Sequence, residues 1–482
     1  MGPGHDNLRT VIGRPESDQV KLLCQQAFLT CCARPRLAIG QLPKKKLFPE
    51  KVTNVMIRFT PRTIFKTRTL ATILLAGAAL GIPGTAQATD GYFLNGVGAK
   101  AKGAGGVAIA MPQDAFSIAS NPASATAIEH RLDVGFEVFI PDRGSEIIGN
   151  QAGLDGVYSG NDANPFILPE FAYVRPLSDT VSIGIAVNGN GGMNTDYETN
   201  PFASFGATGP AGVNLRQISI APTIAVEFAE GQSLGLSPHF VVQSFEVEGI
   251  QPFAANSQDP ANFTNRGEDW AFGAGFRVGY LGSFGDNFRV GAFYQSKVWT
   301  TEFDRYAGLF AEQGGFDMPA SWGAGVSVDA TPKLTLGADF KHIEYSGVNS
   351  VGNPIASLLQ GVPFGADDGP GFGWDDIDVW KVGAVYQAND KLTLRAGYGR
   401  SNNPIPRSET LLNILAPGVV RDHYTVGATI RATDNIELTG YAMRAPRQTV
   451  NGSGSIPAPF GGGEANIHLA ETAIGFSVGF GF

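Results

Sequence analysis

The chain has 482 residues, of which 43% are hydrophobic and only 16% are charged, and it holds 63 glycines and 32 phenylalanines. This composition argues against a helical soluble enzyme, because glycine favours turns and aromatic residues favour strands. The formal net charge of −9 argues against nucleic acid as a partner, since proteins bind phosphates mainly through Lys and Arg.

Residues 56–88 have the three parts of a secretory signal peptide. Basic residues precede the apolar run 70–80, and Ala86-Gln87-Ala88 supplies small residues at the cleavage position. The apolar run is about half the ~20 residues of a membrane-spanning helix, so we expect cleavage after Ala88. Residues 1–55 fit no part of a signal. We expect them to be a non-native or mis-assigned leader, with translation starting at Met56.

Removal of residues 1–88 changes the chemistry of the chain. Cys24, Cys31 and Cys32 all lie in that part, so the mature chain has no cysteine and forms no disulfide. The remaining residues keep 22 of the 35 basic and 40 of the 44 acidic side chains, a formal net charge of −18. The sequence therefore predicts a strongly acidic exported protein.

Residues 129–482 alternate repeatedly between apolar and small or polar side chains, and no stretch approaches 18 consecutive apolar residues. A soluble β-sandwich would give the same alternation. The last strand decides between the two, because an apolar edge strand ending in Phe480 and Phe482 would promote aggregation in water. Within a closed barrel the same strand satisfies its backbone and turns its apolar face to lipid.

Six short turns separate the alternating runs, and longer segments rich in Gly, Pro, Asn and Asp lie between them. Because the first and last strands begin and end on the same side, six turns predict an all-β, antiparallel transmembrane barrel of about 14 strands. We place the strands at 130–140, 166–176, 180–189, 213–228, 232–248, 269–282, 287–303, 319–329, 332–346, 376–388, 391–401, 421–432, 435–445 and 466–482.

Residues 89–128 are not strand-like, since small residues dominate and two prolines interrupt the segment. A compact segment of this kind could plug the lumen of a large barrel. The most distinctive features of this segment are its Gly-rich start, the run GGVAIA and the triplet Asn121-Pro122-Ala123. A further distinctive stretch, Gly373 to Pro406, lies later in the chain. In these features the chain resembles the FadL family of outer-membrane transporters for long-chain fatty acids and other hydrophobic compounds.

The resemblance implies passive uptake without covalent chemistry. A hydrophobic molecule would be captured among the loops, reach a site beside the mature N-terminus and leave sideways through a gap in the wall when an N-terminal hatch moves. The hatch and gating residues carried over by motif are Asn121, Pro122, Ala123, Tyr92, Phe93 and Leu94. The resemblance also makes Tyr92 or Phe93 the aromatic residue in the ligand pocket, and Phe480 and Phe482 the signal for the barrel assembly machinery.

Other interpretations of these residues stay open. Asn121 could belong to an ordinary Asn-Pro turn, and Phe93 to a disordered terminus. A strand bend is expected as well, with residues 188–192, Pro222 and Pro238 as candidates.

Cations on inward faces are the natural contacts for a ligand carboxylate, since guanidinium and ammonium groups bind carboxylates. Five cations are expected there, and each could instead form structural ion pairs with acidic residues inside the barrel. The candidates are Arg216, Arg289, Lys341, Lys381 and Arg395.

No catalytic arrangement, metal-ligand spacing or cofactor motif emerges from the sequence, and the acidic pairs near 367 and 375 read as solvated loop residues. We therefore expect a non-enzymatic protein of a Gram-negative outer membrane, without metal or cofactor. Its expected partners are long-chain fatty acids or aromatic hydrocarbons, outer-membrane lipid and the assembly machinery. A general diffusion porin is the main alternative, and a lipid-modifying barrel enzyme is a third.

Overall fold

Antiparallel strands account for most of the chain in the computed structural model, which describes residues 90–482 apart from the side chain of Asn190. The leader expected at 1–55 and the signal peptide expected at 56–88, with its cleavage after Ala88, lie outside the described residues. The strands are β1 (Arg131–Ile148), β2 (Gly156–Ser159), β3 (Phe166–Pro176), β4 (Val181–Tyr197), β5 (Ala211–Ala229), β6 (Gln232–Glu248), β7 (Asp269–Phe284), β8 (Phe288–Gln295), β9 (Trp299–Thr300), β10 (Ser321–Thr331), β11 (Leu334–Ile343), β12 (Ile377–Asn389), β13 (Leu392–Ser401), β14 (Asp422–Thr433), β15 (Ile436–Val450) and β16 (Glu464–Gly481).

Fourteen of these strands form the wall of a closed barrel. Each wall strand pairs with the next one along the chain, and β16 pairs antiparallel with β1 from Arg131 opposite Gly481 to Ile148 opposite Glu464. The short strands β2 and β9 pair with β1 and β7. The expected antiparallel barrel of about 14 strands is therefore confirmed.

The helices of the described part are short. They comprise α1 (Ala99–Gly103), α2 (Ala311–Gly314), α3 (Asn349–Gly352) and α4 (Ala356–Leu359), together with 3₁₀ helices at Ala115–Ala119, Pro122–Ala127, Ala203–Phe205, Gln251–Asn256, Pro260–Asn262, Asp304–Tyr306, Tyr345–Gly347, Leu412–Ile414 and Ala458–Phe460. Among residues 90–482, no helix has the length and apolar character needed to cross a bilayer.

The outer face of the wall is apolar, as the alternation predicts. In β16, the side chains of Ile474 and Phe476 are 44% and 51% exposed, whereas the intervening Gly475 and the following Ser477 are buried. Phe476 lies opposite Phe136 of β1, and their ring centroids are 5.9 Å apart. Such cross-strand aromatic pairs stabilise a sheet whose outer surface contacts lipid.

Short turns join wall strands at one end of the barrel, and longer segments join them at the other. We call these the short-turn end and the long-loop end. The largest apolar core lies at the long-loop end, where loop residues such as Phe253, Phe310 and Trp374 pack on strand residues such as Phe245. The strands extend beyond a lipid-facing band into this core, which explains why β1 and β15 run several residues past their expected ends.

The clearest difference from the expected strand positions is β4, which continues from Val181 to Tyr197 although it was expected to end at 189. The run of small residues at 188–192 resembles a loop in sequence. In the structure it forms a bulge, where the register of β4 against β5 shifts between Gly189 and Gly191. A bulge bends a strand without ending it, so the pairing resumes beyond it.

Candidate functional site

Residues 90–128, which we call the luminal segment, lie inside the barrel. The helix α1 packs against β13, β14 and β15, and the 3₁₀ helix Pro122–Ala127 packs against β5, β6 and β7. Because these two groups of strands lie on opposite sides of the barrel, the segment must cross the lumen between them. Residues 98–111 are all buried. The segment therefore lies across the lumen.

Glycines let the luminal segment lie directly on the wall. A Cβ atom placed on Gly103 would lie 3.1 Å from Cα of Gly427, and one on Gly105 would lie 2.8 Å from the carbonyl oxygen of Val382. A Cβ on Gly397 would overlap with the backbone of Gly105. Because these contacts join backbone to backbone, side chains at these positions would push the segment away from the wall.

Wall side chains accept hydrogen bonds from backbone N–H groups of the segment. Asp339 of β11 accepts from Ala108 at 2.8 Å and from Ile109 at 3.0 Å. Thr425 of β14 accepts from Gly105 at 2.8 Å. A segment with little secondary structure needs such partners, because buried N–H groups without partners are costly.

Two lysines of α1, which sequence reasoning did not single out, form ion pairs with the wall. Lys102 Nζ lies 2.8 Å from Glu137 and 3.5 Å from Glu170, and all three side chains are nearly inaccessible to solvent. Lys100 Nζ lies 2.6 Å from Glu437. Their spacing in an Ala- and Gly-rich stretch gives no sign of burial, so the pattern of the sequence could not identify them.

Asn121 joins the luminal segment to itself and to the wall. Its Nδ2 group donates to the carbonyl oxygens of Ile109 and Tyr280, each at 2.8 Å, and its Oδ1 accepts from the Ala123 N–H at 3.1 Å. Pro122 begins the 3₁₀ helix that Asn121 caps. The triplet therefore does more than form a local Asn-Pro turn, because one of its bonds reaches β7.

Tyr92 and Phe93 are buried, with 0% and 4% exposure, in a group of aromatic rings. Their rings stack with centroids 5.2 Å apart, and Tyr92 also contacts Tyr345 and Trp374 at 5.1 and 5.8 Å. The Tyr92 N–H donates to Tyr345 Oη at 3.1 Å. Phe93 is thus part of a packed core.

Two of the five expected cations meet beside these rings. Lys381 Nζ lies 2.9 Å from Oδ2 of Asp90, and Lys341 Nζ lies 3.7 Å from the same oxygen. Lys341 Nζ also lies 5.1 Å from the centre of the Phe93 ring. Burial raises the pKa of Asp90, but Lys381 and Lys341 lower it, and the net pKa lies below its usual value of 3.8.

A cavity of about 80 Å³ adjoins this cluster. It is lined by Phe93, Leu94, Asn188, Arg277, Lys341 and Lys381, among others. Arg277 of β7 was not among the expected cations. Its Nε has no hydrogen-bond partner and its guanidinium has no ion pair with a carboxylate among residues 90–482; it bonds instead to Gln295 and lies 5.7 Å from the Phe293 ring.

The other three expected cations lie elsewhere. Arg289 faces inward at the short-turn end and pairs with Asp329 at 2.6 Å, and Arg395 donates to Gln113 and Thr429, each at 2.7 Å. The expectation of an inward face is wrong for Arg216. Its neighbour Gln217 faces the interior, whereas Arg216 lies over the exposed Trp270 ring, at 6.0 Å from its centre, and pairs with Glu268.

The bulge of β4 lies beside the same cavity and interrupts the wall. Pairing of β3 with β4 reaches only to Glu170 opposite Asn188, although β3 extends to Phe166 and pairs with β1 along that stretch. Beyond the bulge, Gly192 N–H donates to the Tyr92 carbonyl oxygen at 3.0 Å. Of the three expected bend positions, residues 188–192 have the register shift, and Pro222 and Pro238 lie in a gap in the β5–β6 pairing.

A second, apolar cavity of about 40 Å³ lies among the long loops. Its lining is mostly apolar and includes Phe202, Phe245, Phe253, Phe263, Phe364 and Phe372. In the described part of the chain, no group of three or more His, Asp or Glu side chains is arranged to hold a metal ion.

Comparison with known proteins places this architecture among outer-membrane transport proteins. The chain matches the family model described as outer membrane protein transport protein (OMPP1/FadL/TodX) over residues 85–451. Outer membrane protein P1 of Haemophilus influenzae is similar in sequence, with 25% identity over 341 residues that cover 62% of this chain and 71% of that protein.

Solved structures share the fold at low sequence identity. A Pseudomonas aeruginosa FadL homologue has a TM-score of 0.62 with 16% identity, over 81% of this chain and 100% of that chain. The toluene transporter TodX of P. putida has a TM-score of 0.60 with 18% identity, over 81% and 99%. The toluene transporter TbuX of Ralstonia pickettii has a TM-score of 0.54 with 18% identity, over 80% and 99%.

Proposed function

The chain belongs to the outer-membrane transport protein family of FadL and TodX, and from this premise we propose that it takes up long-chain fatty acids or related hydrophobic compounds passively. The family consists of transport proteins of the outer membrane, which supports a role in uptake. No covalent step is part of the proposal. The solved relatives TodX and TbuX are toluene transporters, so the fatty acid and the aromatic hydrocarbon are both tested below.

The observation that carries the proposal is the meeting of cations and aromatic rings at one cavity. Lys341, Lys381 and Arg277 line the cavity together with Phe93. A fatty acid has one charged end and a long apolar chain, so its site needs a cationic group beside an apolar surface. Arg277 has no carboxylate partner among residues 90–482, so its positive charge is suited to pair with the carboxylate of a fatty acid.

The cavity in this structure is too small to hold such a ligand. Sites for small molecules have volumes of about 300–1,000 Å³, whereas the cavity measures about 80 Å³. The rings of Tyr92 and Phe93 fill the adjacent space. Ligand binding therefore requires these rings to leave, and we assign Tyr92, Phe93 and Leu94 to the moving part of a hatch that Asn121, Pro122 and Ala123 anchor.

The proposed route enters among the long loops and leaves sideways. The aromatic cavity formed by Phe202, Phe253 and neighbouring rings supplies an apolar capture site. The unpaired stretch of β3 beside the β4 bulge supports an exit there, because fewer inter-strand hydrogen bonds close the wall at this point. Lateral release into lipid also spares an apolar molecule from renewed contact with water.

The alternative of a general diffusion porin is less well supported. Porins keep a water-filled channel, whereas the luminal segment crosses this lumen and residues 98–111 are all buried within it. Conductance for small ions in planar bilayers would be high for a porin. For the proposed transporter, we expect it to stay near the background of the bilayer.

Uptake by cells that lack the protein tests the proposal. Cells complemented with the wild type or with the double variant Lys341→Met/Lys381→Met would receive labelled oleate or labelled toluene, with Lys333→Met as a control at an exposed turn position. We expect the wild type and the control to restore oleate uptake and the double variant to lose most of it. Toluene uptake alone would change the cargo, and restoration of neither would favour the porin.

A further inference from the structure

The carboxylate of Asp90 lies beside two of the cations that line the cavity, Lys341 and Lys381. The Asp90 side chain is fully buried, and its Oδ2 atom lies between the ammonium groups of Lys381 and Lys341 at 2.9 and 3.7 Å. Its Oδ1 atom has no hydrogen-bond partner in the described part of the chain. Asp90 is therefore held mainly by charge and not by a saturated set of hydrogen bonds.

The residues that follow Asp90 are apolar and fold back against it. The Asp90 N–H donates to the Phe93 carbonyl oxygen at 2.9 Å, which makes residues 90–93 one compact turn. This turn carries a carboxylate together with the two stacked rings of Tyr92 and Phe93. A carboxylate joined to a large apolar surface is also the chemistry of a fatty acid.

We propose that residues 90–93 act as an internal mimic of an anionic amphiphile, with Asp90 in the position of the ligand carboxylate. A ligand carboxylate that replaces Asp90 on Lys341 and Lys381 then releases the luminal segment. The inference rests on the proposed function and adds a selection rule to it. Acids release the segment through this exchange, whereas uncharged molecules of the same length do not.

The cost of leaving a buried charge unpaired supplies the coupling. If residues 90–93 left alone, Lys341 and Lys381 would lose their shared anion, and removal of one partner from a buried ion pair is strongly destabilising. An arriving carboxylate restores the pairing and lowers that cost. An alcohol with the same chain can compete with the aromatic rings for apolar contacts, but it leaves the lysines without an anion.

The other contacts of residues 90–95 are backbone hydrogen bonds, ring packing and the contact of Lys341 with the Phe93 ring. Tyr345 Oη donates to the Asp90 carbonyl oxygen at 2.5 Å and accepts from the Tyr92 N–H at 3.1 Å. Lys381 also donates to the Asn95 carbonyl oxygen at 2.5 Å. These bonds orient the turn, but the ion pairs of Asp90 are the contacts that a ligand carboxylate can replace with the same chemistry.

A single introduced cysteine can report on release of the segment, because residues 89–482 contain none. Leu94→Cys places a thiol at a position that is 9% exposed. The full-length exported protein would be reconstituted in phosphatidylcholine vesicles in mildly alkaline buffer and treated with a soluble maleimide. Labelling would be compared without ligand, with palmitate and with hexadecanol, and retention of labelled palmitate would be measured in parallel.

We expect palmitate to speed labelling about tenfold and hexadecanol to have little effect. In the Leu94→Cys background, Asp90→Asn should label quickly without ligand and lose the distinction between acid and alcohol. Asp90→Glu, which keeps the charge, should retain that distinction. This pair of variants separates loss of the carboxylate from any general disturbance of the turn.

Two results would overturn the inference while the proposed function stands: equal acceleration by palmitate and hexadecanol, or retention of palmitate without faster labelling. An Asp90→Asn variant that still distinguishes acid from alcohol would also overturn it. Failure of the wild type to retain palmitate would instead contradict the proposed function, and the inference with it.

Discussion

Phe93 of the luminal segment and Gly191 of β4 form an antiparallel backbone bridge, so the segment pairs with the strand that carries the bulge. The hydrogen bond from Gly192 N–H to the Tyr92 carbonyl oxygen extends this pairing. Departure of residues 92 and 93 would thus free backbone groups of β4 where β3 no longer pairs with it. Filling of the cavity and closure of the wall depend on the same hydrogen bonds.

Substitution of Gly191 by alanine should separate the segment from β4. A Cβ atom at this position would overlap with the carbonyl oxygen of Tyr92, which is backbone and cannot rotate away. We expect Gly191→Ala to raise ion conductance in planar bilayers several-fold above that of the wild type. In the control Gly399→Ala, the added Cβ has its nearest neighbour at 3.5 Å, so conductance should stay unchanged. Equal conductance in both variants would contradict the pairing.

Replacement of Lys102 by methionine should destabilise the folded protein. The change leaves Glu137 and Glu170 buried without their shared cation, and loss of one partner in a buried ion pair costs about 3–5 kcal/mol. Guanidinium unfolding in detergent would measure the loss. The triple variant Lys102→Met/Glu137→Gln/Glu170→Gln should recover most of it, and a triple variant as unstable as the single one would assign the effect to packing.

The change Asn121→Asp should loosen the luminal segment. An aspartate presents an oxygen where the Nδ2 group now donates to Ile109 and Tyr280, so an acceptor would face two carbonyl oxygens. We expect a local loss of about 2–3 kcal/mol, visible as faster hydrogen exchange over residues 105–125. Asn389→Asp is the matched control, because Asn389 only accepts bonds, from Lys391 and Leu392. Equal exchange in both variants would contradict the anchoring role.

The charge of Asp114 should make stability depend on pH. Burial, followed by the neighbouring Asp133, raises the pKa of Asp114 from 3.8 to about 7. A raised pKa means that stability is full below about pH 4 and is lost progressively as the pH rises through about 7, by at most about 4 kcal/mol. The variant Asp114→Asn keeps an acceptor for the Phe116 N–H, which now bonds Oδ1 at 3.1 Å.

The Tm of Asp114→Asn should therefore match that of the wild type near pH 4 and exceed it above about pH 7. Thermal unfolding followed by circular dichroism at a series of pH values measures the difference. A gain of the same size at every pH would show that the substitution acts through something other than titration of Asp114.

The barrel could be predicted from sequence because each wall strand has lipid on one side and packed lumen on the other, which preserves the period-two pattern. The pattern fails where the environment changes. At the long-loop end the interior is an apolar core, so Leu215 points inward and Arg216 outward. Nearer the middle of the same strand, Ile218 and Ile224 point outward. Parity counted from polarity alone therefore placed Arg216 on the wrong face.

Much of the candidate site could not be predicted, because its charges are buried through distant contacts. Asp90 lies 291 positions along the chain from Lys381, and nothing next to either residue in sequence indicates the pairing. Lys102 in a run of small residues and Arg277 in a glycine-rich strand resemble solvated charges for the same reason. By contrast, Tyr92, Phe93 and Asn121 could be identified by their resemblance to family motifs, and they lie in the packed lumen.

The glycine contacts between the luminal segment and the wall bear on how such a protein can diverge. Gly103 against Gly427 and Gly105 against Gly397 make the closure tight without touching the cationic cavity. Side-chain substitutions in the lining of the cavity therefore leave these backbone contacts in place. After gene duplication, one copy can change its cavity lining while glycine at these positions still holds the luminal segment against β13 and β14.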